Sequence, residues 1–175
     1  DMLLAKKKGK KLSKSQELVA VDLKGLSYKA KVIAQEKNTD LCLLEVDRLK
    51  REPVKVAKHR PKIAEKVFNV AAPAGVFGKN MVPLFYGYYA GRSLNPFDEN
   101  TASNIYTIPL TGGSSGSPVL NMKGELIGLI HSKLRRFDNI AFAVTLPQIQ
   151  LFLHKNLMVK NYHSRNAIPT FKLED

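Results

Sequence analysis

Apolar and polar positions alternate with a period of two in several separate stretches of this chain, as β-strands require, and a period of 3.6 is met only near the end. In Glu17–Leu23 the residues Leu18, Ala20 and Asp22 interleave with Val19, Val21 and Leu23, which predicts a strand, and Lys24-Gly25 predicts a turn. Tyr28–Gln35 alternates again, Glu36 to Thr39 is a polar turn, and Leu41–Val46 is an almost unbroken apolar run suited to a buried strand. Three strands with short polar turns make an antiparallel meander. Arg48 to Ile63 is basic and broken by prolines, with Val54–Ala57 as a short strand within it. Further strands are predicted at Val67–Ala72, Leu84–Arg92, Asn104–Ile108, Leu126–Ser132 and Asn139–Val144, with Ser93 to Ser103 a polar loop. The aromatic residues Phe85, Tyr86, Tyr88 and Tyr89 read as core and rim of a β-structure. Pro147 opens a helix that places Ile149, Phe152 and Leu153 on one face. Lys160 to Asp175 is a polar tail.

Composition adds limits. The 175 residues are enough for one or two compact modules with a core, and no run of 18 apolar residues is present to span a membrane as a helix. Met2 to Ala5 is too short for the apolar region of a secretory signal. Cys42 is the only cysteine, which excludes an intrachain disulfide and a cysteine-rich zinc site. The net charge of +13 is concentrated in part at Lys6, Lys7, Lys8, Lys10, Lys11 and Lys14, and again at Lys133, Arg135 and Arg136. Such a cluster is either a solvated loop or a seat for nucleic acid, and no aromatic residue is interleaved with it as a base-stacking platform needs.

The chemistry is concentrated in Thr111-Gly112-Gly113-Ser114-Ser115-Gly116-Ser117-Pro118, between two apolar segments. Glycines there permit positive φ and convergent N–H groups, and a serine hydroxyl beside such donors is how an acyl-transfer nucleophile is presented with its oxyanion hole. A glycine–serine hairpin loop is the plain alternative. The whole string GSSGSPVLNMKGELIGLIHS resembles the nucleophile region of chymotrypsin-fold serine proteases, in particular the HtrA-like (Deg) and glutamyl-endopeptidase groups. There a G-x-S-G-[GS]-P turn precedes a short hairpin and an [IV]-G-[IV] strand. The resemblance implies Ser115 as nucleophile and the amides of Gly113 and Ser115 as oxyanion hole. A second likeness lies at Thr39-Asp40-Leu41-Cys42-Leu43-Leu44-Glu45-Val46, similar to the T-D-L-A-[VL]-L-[KE]-[VI] segment of HtrA-like proteases, with Cys42 in place of alanine. It implies that Asp40 orients the catalytic histidine. Pro73 to Gly78 resembles the P-x-G loop of the same group.

The third partner is missing. Of His59, His131, His154 and His163, none precedes Asp40, where the family order would put the base, and the first two strands of the N-terminal barrel are absent with it. One N-terminal truncation explains both, so the histidine is expected upstream of residue 1; a pseudoenzyme is the alternative. His131, in Ile127-Gly128-Leu129-Ile130-His131, is one residue beyond the I-G-I-H pattern that places a Glu- or Gln-selective histidine in the primary pocket. A shift of one residue reverses the face of a strand unless a bulge absorbs it, so a pocket role beside Leu110 and Thr111 and a plain strand-end role both stand. The resulting expectation is an all-β, chymotrypsin-like double antiparallel β-barrel with a C-terminal helix and an incomplete first barrel. Residues 1–62 would be the remainder of the N-terminal barrel, 63–158 the C-terminal barrel and closing helix, and 159–175 a tail. Function would be serine endopeptidase action on a protein or polyprotein, without metal or cofactor, in a viral or bacterial setting. The rival is an inactive trypsin-like module that binds peptide, or nucleic acid through Lys6 to Lys11.

Overall fold

The computed structural model describes residues 18–71, 80–95, 98–134 and 139–158. The lysines at 6, 7, 8, 10 and 11, the loop at 73–78, Arg135, Arg136, His163 and the polar tail lie outside these. Among the described residues nine strands and one helix follow in order: β1 (Leu18–Val21), β2 (Ser27–Glu36), β3 (Leu41–Val46), β4 (Lys66–Val70), β5 (Leu84–Asn95), β6 (Asp98–Tyr106), β7 (Pro118–Asn121), β8 (Leu126–Lys133), β9 (Ala141–Thr145) and α1 (Leu146–Met158). The first three form an antiparallel sheet, and the other six close a barrel in the order β4-β5-β6-β9-β8-β7.

The β1–β2 turn is built around Asp22. One carboxylate oxygen accepts the amides of Lys24 and Leu26, and the other accepts the Tyr28 hydroxyl and the Arg51 guanidinium. The Leu26 amide foremost, opposed by partial desolvation, holds this carboxyl below the ordinary range. The barrel interior is filled by Val67, Tyr106, Ile108, Leu110, Val119, Ile127, Ile130, Ala141 and Ala143 among others. Gly87 is required by the wall: a Cβ there would lie 2.4 Å from the Thr107 carbonyl oxygen.

A second apolar layer lies outside the barrel. Leu41 and Leu43 of β3 pack with Leu120, Leu126, Leu129 and Val144 of the barrel and with Ile149, Phe152 and Leu153 of α1. The helix therefore buries the face its periodicity predicts. Its start is capped from one side only: Gln148 Oε1 accepts both the Thr145 amide and the Thr145 hydroxyl.

Two expectations require correction. Val54–Ala57 is not a strand: Val56 makes one isolated parallel bridge to Leu126, and the neighbouring backbone bonds that same residue. Ser93 to Ser103 is not a loop: it belongs to the two arms of the β5–β6 hairpin, with Ser93 opposite Ser103 and Leu94 opposite Ala102. Its run of polar residues carries no period-two alternation from which strands could be read. Tyr86 and Tyr88 point outward and are half exposed, whereas Phe85 packs against the interior and Tyr89 is buried. Elsewhere ends move by a residue or a few: the segment expected at 17–23 stops at Val21, that at 67–72 runs from Lys66 to Val70, and that at 139–144 is Ala141–Thr145.

Candidate active site

Ser115 sits in the turn that connects the interior segment ending at Leu110 to β7. Gly113 and Gly116 flank it with φ of 94° and 89°, values that suit glycine, and they bend the chain sharply on both sides of the serine. Ser115 is exposed, while Ser114 before it is buried. The turn is fixed to β8 at two backbone bonds, Gly116 N–H to Ile130 O at 2.7 Å and Ile130 N–H to Ser117 O at 3.0 Å. Among the described residues neither the Gly113 amide nor the Ser115 amide donates a hydrogen bond. The Ser115 hydroxyl donates to the backbone carbonyl of His131 at 3.3 Å.

His131 is the extra residue of a bulge, because the β8–β9 register shifts between Ile130 and Ser132. Ile130 packs into the barrel interior. The His131 ring instead meets Ser103, which is paired with Val144 of the outer layer, and Phe142 at 6.5 Å between ring centroids. Both ring nitrogens have hydroxyl partners at 2.9 Å, Ser103 and Ser132. His131 as a whole is 8% exposed. Leu110 is buried and Thr111 exposed, and Lys133 Nζ of β8 donates to the Leu110 carbonyl at 3.3 Å.

Asp40 is on the other sheet, at the β2–β3 turn. It is exposed, has φ of 57°, and its amide donates to the Lys37 carbonyl at 3.3 Å. The adjoining Leu41 and Leu43 are docked on the barrel, which fixes this turn relative to the second sheet. His59 and His154 are both exposed. No cluster of three or more His, Cys, Asp or Glu side chains that could hold a metal ion occurs among the described residues.

One functional candidate was not singled out from the sequence. Asn69, wholly buried in β4, donates to Ser117 Oγ at 2.9 Å and to the Pro118 carbonyl at 2.7 Å. A signal was present: an asparagine at an inward position of an apolar strand is depleted there and must find partners.

The chain is similar to known peptidases. It is 29% identical over 123 residues to a probable periplasmic serine endoprotease, DegP-like, of Pseudomonas fluorescens, which is 67% of this chain and 25% of that protein. A protein of the same description from Pseudomonas putida (strain F1) is 29% identical over 121 residues. The chain thus spans about a quarter of the length of the curated relatives it matches. Among solved structures, the serine endoprotease from Yersinia pestis superposes with a TM-score of 0.69 at 16% identity, over 84% of this chain and 51% of that one. An inactive mutant form of Rv3671c from M. tuberculosis H37Rv gives 0.65 at 16% identity, over 78% and 69%. These two share the fold. The sequence profile of the trypsin-like peptidase domain matches residues 4–129, and with the closed barrel and the serine turn in place the chain belongs to the trypsin-like peptidase family.

Proposed function

We propose that this chain carries the nucleophile of a serine endopeptidase. Ser115 Oγ attacks the scissile carbonyl carbon, and its proton passes to a histidine. The tetrahedral oxyanion is held by the amides of Gly113 and Ser115, the amine leaves with the proton, and water then hydrolyses the acyl-enzyme. Asp40 orients that histidine. The observation that carries the proposal is an exposed serine on a tight turn beside two unengaged amides. No metal or cofactor enters any step.

Leu110 and Thr111, at the entry to the turn, and His131, at the bulge, form the wall of the primary pocket in this reading. The engagement of both His131 nitrogens by Ser103 and Ser132 gives no support to a particular preference for Glu or Gln. The substrate is a protein or polyprotein segment.

Fluorophosphonate labelling of the native protein, mapped by mass spectrometry, tests the proposal. Label on Ser115 is the expected result. A folded native protein without label at Ser115 would sink it and leave a binding module in its place.

A further inference from the structure

Asn69 faces the barrel interior, level with Val119 across the β4–β7 pairing, where an amide gains nothing from its apolar neighbours Val67 and Val119. Its two amide hydrogens go to adjacent residues at the end of the nucleophile turn, Ser117 and Pro118. Covalent chemistry settles the direction of each bond. The Pro118 carbonyl only accepts, so the Asn69 nitrogen must face it, and the same nitrogen then donates to Ser117 Oγ. That leaves the Ser117 hydroxyl hydrogen for the Ser114 carbonyl, 2.5 Å away, which also receives the Ser117 amide at 3.1 Å. The Asn69 Oδ1 atom is buried and without a partner among the described residues. The two donor bonds are therefore all the amide contributes, and both are spent on this turn.

The Ser114 carbonyl shares one planar trans peptide with the Ser115 amide, whose N–H points the opposite way. Two donors on the carbonyl oxygen thus fix the direction of that N–H. We propose that Asn69 is a positioning residue: through Ser117 it pins the Ser114 carbonyl and so aims the Ser115 amide at the oxyanion. The proposal rests on the acyl-enzyme reading of Ser115 given above. It assigns Asn69 no contact with substrate.

The test uses the native protein and its Asn69→Ala, Ser117→Ala and doubly substituted forms. Backbone amide exchange is followed by NMR, and kcat and KM are measured on a peptide ester. Removing the relay should speed exchange of the Ser117 amide by about tenfold, while the Leu126 amide, bonded to Lys55 O elsewhere in the barrel, stays within about twofold. It should lower kcat by about 10- to 100-fold, less than loss of an oxyanion donor itself, with KM nearly unchanged. The double variant should be no slower than about twice the slower single one, because both substitutions break one chain of bonds. Unchanged Ser117 exchange, losses that multiply in the double variant, or a loss confined to KM would each overturn the proposal. Ser117→Ala deletes only a half-buried hydroxyl and decides the matter if Asn69→Ala fails to fold. A native protein that turns over no ester, yet exchanges Ser117 faster once Asn69 is removed, refutes the peptidase reading and upholds the pinning.

Discussion

The closed barrel and the open three-stranded sheet are made from similar alternating strands and are buried very differently. In β9 every residue is buried, and in β8 so are the six from Leu126 to His131. In β1 and β2 only Ala20 is, and Val19 and Val21 are about half exposed. The third strand of the open sheet is the exception, with Leu41, Leu43 and Leu44 all buried. Two of these leucines are covered by the barrel and the helix. A strand's stability here follows the surface that covers it, and the position of Asp40 is set by the barrel at least as much as by its own sheet.

The largest expected effect separates chemistry from stability within the barrel. Ser115→Ala should lower turnover of the native protein by at least about 10⁴-fold and leave the urea midpoint unchanged, since the side chain is exposed and off the core. A shift in midpoint would show that the turn also holds the barrel together. Next come core truncations, read by urea unfolding. Ile108→Ala, at a wholly buried site, should cost about 3 kcal/mol, and Leu43→Ala should approach it despite its place in the open sheet. Val32→Ala, half-buried on β2, should cost about 1 kcal/mol. Equal costs at Leu43 and Val32 would break the comparison.

The smallest effects are in pH dependence and have opposite signs in the two regions. Burial pushes the Tyr106 hydroxyl well above its ordinary value of 10.0. Its contribution is complete below pH 10 and is lost as pH rises from there towards the folded value, so Tyr106→Phe should flatten the alkaline limb of a stability profile. Asp22, in the open sheet, is held below 3.8 by the Leu26 amide and its other partners. Its contribution is present above that pH and is lost as pH falls through the folded value, so Asp22→Asn should flatten the acid limb. Paired urea titrations at pH 3 to 11 would check both, and an acid limb untouched by Asp22→Asn would count against the turn as a source of stability.

Much of this was legible in the sequence because burial and pattern agree where strands pack. Leu41–Val46 has the expected bounds, β8 extends one residue further, and the helix buries Ile149, Phe152 and Leu153 as its spacing requires. The β5–β6 hairpin was not legible, because much of its far end is polar and offers no period-two alternation to read. The serine turn stood out through its glycines. What lay hidden was the support beneath it: Asn69 and Ser117 are 48 residues apart and meet only when β4 pairs with β7. The side of the sheet taken by His131 was equally out of reach, since a bulge depends on the partner strand as well as on its own residues.

The β4–β7 pairing also has a consequence in time. Joining strands so far apart carries a chain-closure cost that local hairpins such as β8–β9 avoid, so this seam is among the slowest contacts to form. Until it forms, Asn69 is not beside Ser117 and the turn lacks one of its anchors. On the proposed reading of Ser115, a nascent chain would therefore carry a serine of ordinary reactivity, and a hydrolytic group would emerge only in molecules whose barrel had finished closing.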